Sequence, residues 1–214
     1  EFLGTGTSTG VPMIGCRCDV CRSKDSRDRR LRSSVCLTVD DKNILIDCGP
    51  DFRQQMLRSG IDHIDAVLLT HEHYDHTSGL DELRNFSRNN PIPIYAEPNV
   101  LDIIHQRLFY CFSEQPNPGV AHLELKAIEN LSPFTLFGID IEPVRVWHYR
   151  LPIIGYRIGR FAYITDMLTI PDGECAKLSN LDTLVVNALR HKPHISHQNL
   201  ESALTFIAQL NPEQ

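Results

Sequence analysis

The chain has 214 residues, 42% of them hydrophobic and 22% charged, and 27 acidic against 21 basic side chains leave a net charge of −6. Such a chain can bury one sizeable core, and one domain over 1–214 is expected. The acidic balance, without a long basic run, argues against a broad nucleic-acid footprint, and no apolar stretch reaches the ~18 residues of a membrane span. A small or locally charged substrate fits better, and a homodimer stays open.

Taken in chain order, the first element is the glycine-rich opening Phe2-Leu3-Gly4-Thr5-Gly6-Thr7-Ser8-Thr9-Gly10. It is not a dinucleotide fingerprint, because three residues separate Gly6 from Gly10 and no helical pattern follows. A turn that lets two backbones pass closely is the simpler reading. No signal peptide is expected before it, and a cytoplasmic setting is expected. Three of the seven cysteines then crowd into Cys16-Arg17-Cys18-Asp19-Val20-Cys21, a spacing typical of metal ligation, while the odd total argues against a full disulfide framework. Cys36, Cys48, Cys111 and Cys175 lack such grouping and read as buried thiols.

Apolar runs at 35–39 and 43–46 predict a hairpin closed by Asp40-Asp41. Buried strands are expected at 66–69 and 92–96, and further strands at 139–147, 153–158, 161–164 and 183–186. Helical patterns lie at 51–59, 80–85 and 100–111, and 112–119 reads as a loop. The clearest helix spans 196–210, with Ser196 as N-cap and Leu200, Ala203, Leu204 and Ile207 on the core face. Strands separated by helices, with the early strands in hairpins, predict a layered α/β sandwich.

The segment Thr70-His71-Glu72-His73-Tyr74-Asp75-His76 follows a buried strand directly. Four candidate ligands within six residues point to a metal. His71 and His73 can aim at one ion, and Asp75 and His76, past the bend, can reach a second. Imidazole with carboxylate suits Zn²⁺, Mn²⁺ or Fe²⁺, and the lack of sulfur disfavours a closed structural zinc here.

His-x-His-x-Asp-His after a strand resembles the signature of the metallo-β-lactamase superfamily, whose fold is an αββα sandwich with metals at the strand ends. The resemblance places further motifs in order. Ile44-Leu45-Ile46-Asp47-Cys48-Gly49 is similar to the strand whose Asp, here Asp47, supports the ligands. His148, after Trp147, is similar to the third His of the first ion, and Asp166 in Tyr163-Ile164-Thr165-Asp166 to the bridging carboxylate. The opening and Cys-x-Cys-x-x-Cys together resemble the PhnP-type phosphodiesterases of carbon–phosphorus lyase pathways. This implies a structural Zn²⁺ on Cys16, Cys18 and Cys21. His197, in His191-Lys192-Pro193-His194-Ile195-Ser196-His197, is similar to the histidine that contacts the substrate phosphate; His191 and His194 are the alternatives. The family also carries two ligands on a strand after the final helix, one for the second ion and one for the structural zinc, and this sequence ends at Gln214 where that strand is expected.

The resemblance implies hydrolysis of a small cyclic phosphodiester, such as phosphoribosyl 1,2-cyclic phosphate, by a hydroxide bridged between two ions, Zn²⁺ or Mn²⁺. His71, His73 and His148 would hold the first ion, Asp75 and His76 the second, with Asp166 shared and His197 protonating the leaving group. The rival readings are a tRNA 3′-end endonuclease, which needs a basic surface and an exosite arm, and a non-catalytic metal-binding protein of cofactor biosynthesis.

Overall fold

Runs rich in Val, Ile and Leu become strands where both faces can be covered, and the chain's strands fall into two sheets. The computed structural model describes Glu1 to Gln214, and the chain forms two compact units, Glu1–Ile128 and Glu129–Gln214.

The first unit carries six strands whose spatial order is their chain order: β1 (Phe2–Gly4), β2 (Ser34–Val39), β3 (Lys42–Ile46), β4 (Ala66–Leu68), β5 (Ile92–Ala96) and β6 (Leu123–Ala127). The pairs β1–β2 and β2–β3 are antiparallel, and β3 to β6 run parallel. Ile44, Leu45, Ile46, Ala66, Val67 and Leu68 are fully buried, as continuous apolar runs in a parallel sheet require. The β2–β3 hairpin turns at Asp40 and Asp41, with φ of +46° and +62°, a conformation Asp accepts more readily than most residues. Backbone carbonyls of Leu31 and Arg32 lie where a side chain on Gly4 would stand, and those of Arg30 and Leu31 where one on Gly6 would, so the opening is the close backbone passage its glycines predict. The helices here are α1 (Asp19–Arg22), α2 (Phe52–Ser59), α3 (Tyr74–Thr77) and α4 (Pro98–Arg107). The pattern at 80–85 is a 3₁₀ turn, and the one expected at 100–111 divides into α4 and a 3₁₀ turn at 109–111.

The second unit has a five-stranded sheet in the order β11-β10-β9-β8-β7: β7 (Phe134–Leu136), β8 (Ile139–His148), β9 (Leu151–Ile158), β10 (Phe161–Ile164) and β11 (Thr183–Val186). Only β10–β11 is parallel. Two helices, α5 (Asp172–Cys175) and α6 (Leu200–Leu210), complete it.

The last helix corrects the sequence reading. Asn199, not Ser196, is its N-cap, because Asn199 and Ser202 form a reciprocal capping box, an arrangement that stabilises a helix start by ~1 kcal/mol. Its buried face is also rotated from the predicted one. Ala203 and Phe206 are buried and Ile207 and Leu210 pack on the core, whereas Leu204 is 55% exposed. Residues 196–198 are held instead by their own contacts: Gln198 N–H donates to the Met167 carbonyl, and Leu189 N–H to that of Gln198. Strands β1, β6 and β7 escaped the sequence reading; two are three residues long and β6 interleaves charges with its leucines.

Candidate metal centre

Ligand groups gather at the carboxyl ends of β3 and β4, where open parallel sheets present their sites. Asp47, one residue past β3, is fully buried. One oxygen accepts from Thr70 N–H at 2.9 Å, both accept from the Thr70 hydroxyl at 3.0 and 2.9 Å, and Oδ2 accepts from His76 Nδ1 at 2.7 Å. Burial pushes the Asp47 carboxyl above the usual carboxylate range, while His76 and Thr70 pull it back. Gly49 is needed alongside: the Asp75 carbonyl occupies the place a Cβ would take.

The hydrogen bonds fix which nitrogen each histidine offers. The Thr70 hydroxyl gives its one proton to Asp47, so it accepts from His71 Nδ1 at 2.9 Å and leaves His71 Nε2 as a lone-pair donor. His76 Nδ1 donates to Asp47, which likewise makes Nε2 its lone-pair nitrogen. His71 Nε2 lies 3.0 Å from His73 Nδ1, about the separation of two nitrogens each ~2.0–2.1 Å from one ion. His76 Nε2 stands 3.3 Å from Asp75 Oδ2. His71 and His76 are buried, Asp75 half-buried and His73 exposed. The first unit thus brings His71, His73, Asp75 and His76 together on the Asp47 support.

The second unit assembles its own group. His148, the last residue of β8, donates Nδ1–H to the Ser196 carbonyl at 2.8 Å, so Nε2 is its lone-pair nitrogen. The His148 and His197 rings are 4.4 Å apart, and His197 Nδ1 lies 3.7 Å from Asp166 Oδ1; ligand atoms of all three fall within 4.8 Å of one another. Asp166 takes φ +55° just beyond β10. His194 lies 5.1 Å from the His197 ring, and its Nδ1 accepts from Ser196 N–H. His191 is exposed and offers only its carbonyl, to Asn199. Of the three histidines of this loop, the fold brings His197 beside His148 and Asp166.

The ligand sulfurs of Cys16, Cys18 and Cys21 also lie within 4.8 Å of one another, and all seven cysteines are free thiols. Cys18 caps α1 by accepting from Cys21 N–H, and that bond, with Cys16 beside it, lowers its thiol below the ordinary value.

The description "Beta-lactamase superfamily domain" matches residues 42–214. The crystal structure of "a New Diphosphatase from the PhnP Family" superposes at a TM-score of 0.91 with 41% identity, covering 99% of this chain and 82% of that one. The chain belongs to the metallo-β-lactamase superfamily and, within it, to the PhnP family. Zn²⁺-bound PqqB from Methylobacterium extorquens shares the fold at a TM-score of 0.72 and 24% identity, over 89% of this chain and 73% of that one. A relative in Porphyromonas gingivalis named octanoyltransferase is 50% identical over 99% of this chain; the chain spans only 44% of that relative's length.

Family membership gives the mixed α/β fold with two sheets as the metallo-β-lactamase fold, supports hydrolase chemistry and implies divalent metal binding. No helix is long and apolar enough to cross a membrane. Around this PhnP-family ligand loop the structure adds groups the sequence reading missed. Thr70 stands beside His71 in the quoted segment, yet its residue type alone gave it no role. Ser196 acts through its carbonyl, which leaves no mark in sequence. Arg107, at the end of α4, donates to the Glu72 carbonyl at 2.7 Å and to Thr77 Oγ1 at 3.1 Å, and its guanidinium lies 5.4 Å from the centre of the Tyr74 ring. It clasps the loop from outside.

Proposed function

We propose that the chain is a metal-dependent phosphodiesterase acting on a small phosphodiester, with a cyclic sugar phosphodiester as the leading candidate. The observation that carries this is the set of three histidines, His71, His76 and His148, each with Nδ1–H held by an oxygen of Thr70, Asp47 or Ser196, which makes Nε2 the lone-pair nitrogen of each ring. This is how metal-binding imidazoles are oriented, so the residues fit the cations the family implies. The likeness to a PhnP-family diphosphatase supports phosphorus as the electrophile.

In this reading His71, His73 and His148 hold a first cation, Asp75 and His76 a second, and Asp166 serves both; Zn²⁺ or Mn²⁺ suits these donors. When bound, such ions supply Lewis acidity and bring the pKa of water toward neutrality. His197, beside His148 and Asp166, is placed to give a proton to the leaving oxygen. Cys16, Cys18 and Cys21 offer three corners of a structural zinc site. Cys48, although next to Asp47, is no nucleophile, because burial holds its thiol well above the ordinary value. We assign the transferase name of the Porphyromonas relative to the portion of that protein which this chain does not span.

Turnover of bis-p-nitrophenyl phosphate with added Zn²⁺ or Mn²⁺ tests the proposal. Asp75→Ala should cost ~10³-fold or more in kcat while the metal-free melting temperature stays within a few degrees. Near-normal turnover by that variant with either ion would exclude the two-cation reading.

A further inference from the structure

The hairpin between β8 and β9 closes directly after His148, which pairs with Leu151 and leaves Tyr149 and Arg150 as a two-residue turn. Tyr149 adopts φ +57°, a region that glycine enters freely and a bulky aromatic residue resists. Packing does not explain its presence. The residue is 46% exposed, and the Arg150 guanidinium carbon lies 5.1 Å from its ring centre. Neither the Tyr149 hydroxyl nor the Arg150 guanidinium is spent on a hydrogen bond or ion pair within the protein. A strained, half-exposed aromatic beside an unengaged guanidinium, one residue from His148, marks a place shaped for a ligand.

We propose that Tyr149 and Arg150 form a substrate-binding lip that selects a phosphoester carrying a planar heterocycle, the chemistry of a nucleoside phosphate. The heterocycle stacks on the exposed Tyr149 ring, and Arg150 donates its paired N–H groups to an anionic phosphate oxygen while still covering the ring's edge. This deepens the phosphodiesterase reading and rests on it for the position of His148.

Equilibrium binding, which needs no turnover, tests the lip separately from the hydrolase assignment. The probes are adenosine 5′-monophosphate and ribose 5-phosphate, titrated into the Zn²⁺-supplemented protein. The heterocycle should improve affinity by about tenfold in the native protein, as expected for one stacked base. Tyr149→Phe should keep that ratio, Tyr149→Gly should bring it to about one, and Arg150→Ala should weaken both probes alike. Relief of the backbone strain should leave the melting temperature of Tyr149→Gly unchanged or raise it by ~2–4 °C. Equal affinity for the two probes in the native protein, including failure to bind either, overturns the proposal, and so does a ratio that survives in Tyr149→Gly. A clear fall in the melting temperature of that variant would mean that Tyr149 is kept for packing.

Discussion

Asp47 is joined to β4 through Thr70 and to α3 through His76, and it directly or indirectly fixes the tautomers of two histidines. An amide at this position has the same shape but cannot accept from all of these donors at once. Asp47→Asn should therefore weaken zinc binding by ~10–100-fold, read by competition with a chromophoric chelator; affinity within threefold of the native protein would show that the carboxylate only fills space. At this scale much was legible in sequence. His71, His73, Asp75 and His76 announce themselves because no structural need puts four such residues in six positions. Asp47, His148, Asp166 and His197 gain meaning only through their order along the chain. The Ser196 carbonyl was invisible, since every residue has one and only the fold decides which carbonyl a histidine meets.

The ligand loop is gripped from α4, whose last residue, Arg107, reaches Glu72, Thr77 and the Tyr74 ring. Arg107 lies at the surface, so the worth of these contacts to overall stability is small, but they limit how far the loop between His71 and His76 can stray. Arg107→Ala should weaken metal binding by about tenfold with little change in melting temperature. Arg107→Lys, which keeps the charge and loses the planar fork, should recover only part of the loss. Unchanged affinity in both variants would show that the loop holds itself. The elements themselves were read well where apolar runs were long, as at β5, β10 and β11, whose bounds match the predicted 92–96, 161–164 and 183–186. Helix α6 was read half a face off: Ala203 and Ile207 do meet the core, but Leu200 and Leu204 fit the spacing of a buried stripe as well as Phe206 and Leu210 do, and only packing distinguishes the two. Arg107 itself lies 35 residues from Glu72, and no local pattern links them.

For the whole molecule, family membership implies metal binding, and a ligand that binds only the folded chain adds to its stability by mass action. Zn²⁺ at ~100 times its dissociation constant should stabilise the fold by about 2.7 kcal/mol. The melting temperature should rise accordingly and return to the metal-free value on chelation; a curve indifferent to both zinc and chelator would contradict a site built from folded-state geometry. The same geometry has a consequence for how the chain matures. Strands β3 and β4 pair as Ile46 with Leu68, and the Asp47 amide closes on the Leu68 carbonyl at 3.0 Å. A slip of one residue between these strands would turn each side chain to the opposite face and carry Thr70 away from Asp47. Apolar burial alone would barely notice, because Ile44, Leu45, Ile46, Ala66, Val67 and Leu68 are interchangeable as grease. The cation would notice at once. Ion capture would thus report strand alignment: refolded chains in the correct register should bind Zn²⁺ tightly in competition with a chromophoric chelator, and misaligned copies should not.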